Sequence, residues 1–299
     1  MIMKRFRVGE HSFHTINYIV YTAFMLLCIY PFYYIFINSI SSPDAIIQGV
    51  YFYPKGLTLD TYVQLFQSDN IINAFLISAS RAVIGTFATV MACSFFSYLI
   101  TKREMFARSF VYRFVIITMY LNAGLIPWYI TMRGLGLKDN YLLYILPTII
   151  SAYFIILIKT YMESLPVVLE ESAMMDGAGY LRIFISIILP VCMPILATVA
   201  VFHAVNQWNS WTDNYFLVSN PKLQTLQLIL LNYLRQAESM ASDANRQLIT
   251  SAAGITGFRV SSASVRLAIT MIVTLPIMMV YPFMQRYFVK GIMMGAVKG

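Results

Sequence analysis

Long apolar stretches, separated by short polar segments, run along the whole chain. A transmembrane helix needs about 20 consecutive, mostly apolar residues. Two of the stretches are interrupted, the second near its start by Arg81 and the third by Asn122, Gly124 and Pro127. The pattern predicts an all-α polytopic membrane protein with six transmembrane helices, at about residues 17–38, 72–100, 114–131, 141–162, 183–206 and 266–288.

Prolines lie inside three of the predicted spans. Pro147 falls in the fourth, Pro190 and Pro194 in the fifth, and Pro276 and Pro282 in the sixth. Broken helices are tolerated in membranes where neighbouring helices or a water-filled cavity satisfy the freed backbone groups. The sequence leaves open whether these prolines mark broken helices or simple kinks.

Composition and charge agree with a membrane protein. The chain is 59% hydrophobic and only 11% charged, whereas a soluble domain is about a quarter charged. Its net charge is +8, but the basic residues are scattered at the ends of the apolar runs. This distribution favours membrane topology over nucleic acid binding.

The cysteines and the basic N-terminus suggest neither a metal site nor a removed leader. Cys28, Cys93 and Cys192 each lie within an apolar run and fit no metal-ligand spacing, so we expect no metal. The first apolar stretch is longer than the apolar core of a signal peptide, about 7–15 residues. We therefore expect it to be retained as the first helix.

The distribution of Lys and Arg predicts the orientation of the chain. One set of segments between the spans, together with the termini, carries 12 of the 21 Lys and Arg residues, and the opposite, longer set carries nine. Because cytoplasmic segments are enriched in Lys and Arg, both termini are expected in the cytoplasm, in agreement with six spans.

Two larger segments then lie outside, at about 41–71 and 207–264. Within the second, leucines at 223, 226, 230 and 234 fall on one helical face, which predicts an amphipathic helix at the outer surface over about 223–238. The stretch 239–264 is rich in Ser, Ala, Asn and Gly and is expected to be a loop.

The segment 163–182, between the fourth and fifth spans, predicts a short cytoplasmic helix. Pro166 suits a helix start, and Glu170 and Glu171 follow in the first turns, where negative charge is favoured. Gly177 and Gly179 would end the helix. Such a helix could dock onto a partner, although an ordinary connecting loop with capped helices fits these features equally well.

This segment resembles the EAA motif of binding-protein-dependent ABC importer permeases. The motif is Glu-Ala-Ala, three residues, Gly and, about nine residues later, a hydrophobic-Leu-Pro. Here Glu171 and Gly177 have the family spacing, Ile188-Leu189-Pro190 follows, and Ser172 replaces the usual first alanine. By this resemblance the residues that couple the chain to an ATPase would be Glu170, Glu171, Ser172, Ala173, Asp176, Gly177 and Ala178.

Other matches point to the maltose-type, or carbohydrate-uptake, branch of that family. The ending from Gln285 to Gly299 is similar to the tails of permeases in this branch, as are the pair Trp208-Asn209 and the stretch 58–66. The outer stretch 239–264 departs from the pattern, because it is longer. Longer outer loops resemble those of permeases for larger oligosaccharides.

The resemblance implies a fold, a mechanism and a set of partners. It implies a type I ABC importer permease fold as one domain over 1–299, with a core at about 72–290. The coupling segment, residues 163–182, would sit in a cleft of a separate ATPase, with Glu171 on a basic residue there. The tail residues Lys290, Gly291 and Lys298 would lie at the ATPase dimer interface.

ATP-driven closure of the ATPases would switch the permeases between inward- and outward-facing states. The chain would then be a transport subunit and not an enzyme. It would bind no cofactor, because ATP and Mg would be held by the partner ATPase. Further partners would be a second homologous permease, an extracytoplasmic solute-binding protein, an oligosaccharide and the lipid of the bacterial cell membrane.

Four polar residues within the third and fifth spans are candidates for the substrate path. Tyr120, Asn122, His203 and Asn206 lie at membrane depth, where polar groups usually face a bundle interior or a water-filled path. Hydrogen bonding between helices is the competing explanation.

Other functions are less compatible with the sequence. It contains no nucleotide-binding Gly-x-x-x-x-Gly-Lys-Ser/Thr and no His-Glu-x-x-His or Gly-x-Ser-x-Gly motif, which argues against an ATPase and an intramembrane enzyme. A permease for a non-sugar solute and a membrane protein without a transport role stay open as alternatives.

Overall fold

The computed structural model describes residues 2–67, 69–247 and 262–296, and within these ranges the chain is almost entirely helical. Short 3₁₀ turns at Tyr141–Tyr144, Leu146–Thr148 and Pro221–Leu223 and a π-helical turn at Phe184–Ile188 join the α-helices. The α-helices are α1 Ile2–Ser39, α2 Pro43–Gln48, α3 Asp60–Gln67, α4 Asp69–Thr101, α5 Arg108–Tyr120, α6 Leu125–Gly134, α7 Ala152–Glu163, α8 Val168–Met175, α9 Tyr180–Ile183, α10 Leu189–Val191, α11 Met193–Asn209, α12 Thr212–Leu217, α13 Leu226–Gln247 and α14 Ser262–Ala296.

The described residues contain three to five candidate membrane spans. Ser12–Ser39, Asn70–Thr101 and Ala263–Val280 are each long and apolar enough to cross a bilayer alone. Two further candidates are bent pairs, Tyr141–Thr148 with Ala152–Glu163 at 48° and Tyr180–Val191 with Met193–Asn209 at 78°. All five coincide with predicted spans, and the bent pairs contain Pro147, Pro190 and Pro194.

The third predicted span, at 114–131, is not one helix. α5 ends at Tyr120, Leu121 is extended, and Gly124 has a φ of 82° and a ψ of 178°, before α6 begins. The Asn122 side chain accepts the backbone N–H of Gly124 at 2.9 Å. A side chain that bonds its own backbone offers the chain an alternative to helix, and the glycine supplies a conformation that other residues adopt only with strain.

Polar side chains of α4 satisfy the backbone at the break before α7. Thr89 donates to the carbonyl of Thr148 at 3.1 Å, and Cys93 lies against Ile149 and Ser151. Ser97 donates to the carbonyl of Ile155, inside α7, at 3.0 Å. Residues four apart lie on one face of a helix. Freed backbone groups are tolerated in a membrane when neighbours satisfy them, so α4 allows the break.

The largest buried apolar cluster lies where α4 packs against α7 and α11. It includes Tyr98, Ile155, Phe184 and Val199. The helices α4 and α11 approach closely at Gly85, where an added Cβ would come within 3.0 Å of the Gln207 side-chain nitrogen. α4 is therefore the central helix of this part of the chain.

The chain divides into two compact units, Met1–Gln67 with Asn232–Thr274 and Ser68–Leu231 with Leu275–Gly299. In the first unit, the end of α1 holds the following polar segment. Asn38 donates to the carbonyl of Val50 at 3.0 Å, Tyr33 donates to that of Phe52 at 2.6 Å, and Tyr62 donates to the Ser39 hydroxyl at 2.7 Å. All of the functional candidates below that lie within the described residues belong to the second unit.

The helix predicted at 223–238 is α13, which begins at Leu226 and continues to Gln247. Residues 239–247 are thus helical and not loop, because Met, Ala, Arg and Gln in this stretch favour helix. The remainder of the predicted loop up to 261 lies outside the described residues. Helix α14 passes through Pro276 and Pro282 without a break.

Candidate coupling segment and membrane cleft

The coupling segment contains a short helix at the predicted place. α8 begins at Val168, two residues after Pro166, and Glu170 and Glu171 lie in its first turn. Backbone N–H groups of this turn bond the carbonyls of Pro166 and Val167. Negative side chains suit this end of the helix because they oppose its free N–H groups.

Gly177 ends α8 in a left-handed turn. It has a φ of 78°, its N–H bonds the carbonyl of Met174, and the N–H of Ala178 bonds that of Ala173, both at 3.0 Å. These two bonds form a Schellman motif, in which glycine is the usual residue. Nothing lies within 4 Å of the place where a Cβ would stand, so the requirement for glycine comes from the backbone and not from crowding.

The predicted coupling residues divide between two faces. Ala173 is buried, and Ala178 packs against the same apolar cluster. Glu170 forms an ion pair with Lys102, the residue after α4. These three residues therefore bind the segment to its own chain. The outward face carries Glu171, Ser172, Asp176 and Gly177, together with the exposed apolar residues Val167, Val168, Met174 and Met175.

Beside the coupling segment, Glu163 at the end of α7 pairs with Lys159 at 2.7 Å and lies 3.9 Å from Arg108 of α5. Lys159 also lies 4.3 Å from the centre of the Tyr112 ring. These contacts hold the end of α7 against α5, so the helix that leads into the coupling segment is fixed as well.

A cleft of about 480 Å³ opens between α4, the break before α7, and α11. His203 and Asn206, two of the predicted path residues, both line it. Asn206 is exposed, whereas His203 is buried, with its ring nitrogens 3.2 Å from the hydroxyls of Thr86 and Thr89. The polar lining continues with Ser151, Gln207 and Ser210, and the aromatic lining consists of Tyr153, Phe154 and Phe202.

The structure does not bring the other two predicted path residues to this cleft. Tyr120 is exposed at the end of α5, and the Asn122 side chain is used in the turn to Gly124. Asn122 thus has a local structural role. The tail residues Lys290 and Gly291 lie within α14, and Lys298 lies outside the described residues.

A buried ion pair behind the cleft was not predicted. Arg81 of α4 is 1% exposed, and its guanidinium donates to the Asp213 carboxylate at 2.6 and 3.3 Å. It also donates to the Gln207 side-chain oxygen at 2.8 and 3.0 Å and lies 4.4 Å from the centre of the Tyr144 ring. The lone arginine within the second apolar stretch was the signal, because charges at membrane depth are usually paired.

The network continues from Gln207 and Asp213 into the neighbouring turns. Gln207 donates to the Tyr144 carbonyl and the Thr148 hydroxyl at 3.0 and 2.7 Å. Asp213 accepts the N–H of Asn214 at 2.9 Å. The side chain of Asn214 in turn bonds the Tyr144 hydroxyl. Every charge-bearing group at the back of the cleft therefore has partners, which is the condition for burying such a pair.

A carboxylate at the edge of this unit joins two loops. Asp139 accepts the backbone N–H groups of Ser219 and Asn220 at 2.5 and 2.8 Å. These two bonds, helped by neighbouring Lys138, hold the pKa of the Asp139 carboxyl below its usual value. The turn before the fourth span and the turn after α12 are thereby held together.

No group of three or more His, Cys, Asp or Glu side chains that could hold a metal ion occurs within the described ranges. The cleft instead offers hydroxyl, amide and aromatic groups. These groups can donate and accept hydrogen bonds and stack against apolar ring faces.

Comparison with known proteins agrees with these features. No protein-family model matches the sequence. The polygalacturonan/rhamnogalacturonan transport system permease protein YtcP of Bacillus subtilis is 31% identical over 277 residues, which cover 92% of this chain and 94% of that protein. Protein LplC of Bacillus subtilis is 33% identical over 276 residues, 91% of this chain and 90% of that protein.

A solved structure has the same fold. It is the crystal structure of a bacterial ABC transporter involved in the import of the acidic polysaccharide alginate, and one of its chains superposes with a TM-score of 0.83 at 28% identity, covering 94% of this chain and 98% of that one. The similarity to these proteins extends over nearly the full length of this chain and of each of them. This chain therefore belongs to the family of carbohydrate ABC transport permeases.

Proposed function

We propose that this chain is the permease subunit of an ATP-driven importer that moves oligosaccharides into the cytoplasm by alternating access. The observation that carries the proposal is the outward face of α8. There Glu171 and four apolar side chains, of which Met175 is 88% exposed, stand on a helix whose inner face is fixed to the chain. An exposed apolar surface with a charge at its edge is typical of a protein interface.

The partner on this face would be an ATPase subunit, with Glu171 on a basic residue and the Gly177 turn letting the helix protrude. The chain itself contains no nucleotide-binding motif, so hydrolysis of ATP would take place on that partner. A second permease, related to this one, would complete the pathway. An extracytoplasmic solute-binding protein would deliver the sugar to the outer segments.

Within the membrane we propose six spans as one permease domain, with α5 and α6 together forming the third and both termini in the cytoplasm. A broken third span is compatible with the bilayer where protein or a water-filled path covers the break. The predicted orientation places Met175 in the cytoplasm and Lys222 outside.

The solute would pass along the cleft at Arg81 and α11. His203, Asn206 and Ser210 would bond sugar hydroxyls, and Tyr153 or Phe202 would stack on a ring face. YtcP and the alginate transporter are named for acidic polysaccharides, so oligosaccharides that contain uronic acid are the first substrates to test, beside neutral ones of the same length.

The experiment is uptake by cells whose own copy of this gene is deleted and replaced by variants. Glu171→Lys should lower uptake of labelled oligosaccharide and retention of the ATPase on the purified permease about tenfold or more, because a like-charge contact costs several kcal/mol. Glu104→Lys is the matched control, since Glu104 is also exposed and charged but lies outside α8, and it should behave as wild type.

Wild-type cells that take up no labelled oligosaccharide, or a Glu171→Lys variant that transports and retains the ATPase normally, would contradict the proposed function. Membrane levels of each variant are measured by immunoblot, because a change in α8 should leave insertion unaffected.

A further inference from the structure

Lys102 lies at the junction of α4, α8 and α9 and contacts all three. Its ammonium forms the ion pair with Glu170 in the first turn of α8. It also lies 4.0 Å from the centre of the Tyr98 ring, in the last turn of α4, and 6.0 Å from that of Tyr180, the first residue of α9. The side chains of Lys102 and Glu170 are only 14% and 23% exposed, so water screens their attraction less than that of a surface pair.

The base of this junction is a buried tyrosine, Tyr98. Tyr98 is 1% exposed, and its ring lies 5.2 Å from that of Phe184. Within the described residues its hydroxyl has no hydrogen-bond partner, so the ring is held by what contacts its faces, Lys102 among them. Ala173 of α8 belongs to the same buried cluster. The ion pair and the burial of Ala173 thus both connect α8 to this end of α4.

The helix α4 connects this junction with the cleft. It is continuous from Asp69 to Thr101 and contains no proline, a common cause of sharp kinks, so one unbroken element connects the two places. Arg81 lies on the same helix, about 30 Å from Lys102 at a rise of 1.5 Å per residue. The Arg81 side chain is tied in turn to Gln207 and Asp213.

We propose that Lys102, which lies over the Tyr98 ring, is a positioning residue for coupling: it holds Glu170 at the end of α4, so that a push on α8 is passed to α4 and from there to the cleft. The two neighbouring glutamates, Glu170 and Glu171, would then have different roles. Glu171 meets the partner, and Glu170 anchors the helix to its own chain. This role of Lys102 rests on the proposed function, because an ATPase would have to push on α8. The contacts of Lys102 themselves lie within this chain.

The first test measures whether Lys102 positions α8. Spin labels are attached to Phe106→Cys and Met175→Cys, which are 94% and 88% exposed, in the full chain without Cys28, Cys93 and Cys192, purified without the ATPase that would cover Met175. Lys102→Met and Glu170→Gln should broaden the distribution of distances between the labels. The matched controls Arg103→Met and Glu104→Gln remove one charge each from the same turn and should leave it unchanged.

The second test measures coupling in the complex reconstituted in vesicles with its binding protein. Lys102→Met should raise the ATP hydrolysed per oligosaccharide transported about fivefold or more, at the lower end of the range for coupling between distant sites. The amount of ATPase retained should not change, because the outward face of α8 is intact. If Lys102 only stabilised the fold, Lys102→Met would lower sugar transport and ATPase retention together and would leave the ATP hydrolysed per sugar unchanged.

The reversed pair, Lys102→Glu with Glu170→Lys, keeps an ion pair at the junction and should return both the distance distribution and the ATP-to-sugar ratio toward wild type. The role is overturned if Lys102→Met equals Arg103→Met in both tests. It is also overturned if the reversed pair inserts normally but recovers neither readout. A wild-type complex in which sugar does not stimulate ATP hydrolysis would instead contradict the proposed function, and the distance distribution would still decide whether Lys102 positions α8.

Discussion

At the scale of single residues, the coupling segment depends on a glycine for its backbone conformation. Gly177 has a φ of 78° with open space around it, and a left-handed conformation costs other residues about 1–2 kcal/mol. Gly177→Val should therefore lower uptake and ATPase retention, whereas Gly177→Asn, which tolerates this conformation better, should retain most of both.

Gly179 offers the matched control for this prediction. Its φ is −75°, which any residue can adopt, and nothing lies within 4 Å of an added Cβ. Gly179→Ala should therefore transport close to wild type. Equal loss of uptake in Gly177→Val and Gly179→Ala would mean that the left-handed turn is not what the segment requires.

The ion pair of Arg81 and Asp213 gives a second prediction at this scale. Asp213→Asn leaves a buried guanidinium without its counter-charge, and breaking such a pair costs about 3–5 kcal/mol. Replacing both residues by apolar ones of similar size, as in Arg81→Met with Asp213→Leu, should cost less than the two single changes added together. Thermal unfolding of the purified protein measures these differences.

Arg133→Met serves as the control, because Arg133 is exposed near the end of α6 and should leave the unfolding temperature nearly unchanged. Additive costs for the two single changes would indicate that Arg81 and Asp213 do not act as a pair.

At the scale of elements, the break between α5 and α6 replaces a continuous third span. Gly124, with a φ of 82° and a ψ of 178°, occupies a region of the backbone map that is essentially restricted to glycine, where other residues are strained by about 1–3 kcal/mol. Gly124→Ala should therefore destabilise the protein by that amount in thermal unfolding.

Gly134, at the end of α6, is the control for this prediction, because replacing it also removes a glycine but changes no strained backbone conformation. It has no positive φ and open space for a Cβ, so Gly134→Ala should be neutral or stabilising, as alanine favours helix. If Gly124→Ala were as stable as Gly134→Ala, the break would not depend on the glycine conformation.

At the scale of the whole molecule, the orientation across the membrane gives a fourth prediction. Labelling of Phe106→Cys, which is 94% exposed and lies outside the face proposed for the ATPase, by a membrane-impermeant reagent should require permeabilised cells, and labelling of Lys222→Cys should not, provided that the native cysteines are removed. The reason is the excess of Lys and Arg in the segments predicted to be cytoplasmic. The reverse pattern would contradict cytoplasmic termini and would place the coupling segment on the wrong side for an ATPase.

The sequence by itself determined the features that depend on local pattern. A run of about 20 apolar residues is recognised as a span from its own sequence, whichever helices pack around it. All of the candidate spans among the described residues therefore coincide with predicted ones. Local chemistry likewise predicted α8 and its end, because Pro166, Glu170, Glu171 and Gly177 act through the backbone of their own helix.

The tertiary structure decided which polar groups meet. Arg81 and Asp213 are 132 positions apart, and Lys102 and Glu170 are 68 apart, so no local pattern indicates either pair. Glu170 and Glu171 are equivalent in sequence as acidic residues of a first helical turn. Only the packing of α8 on the end of α4 directs one of them inward to Lys102 and leaves the other exposed, because neighbouring residues on a helix point about 100° apart.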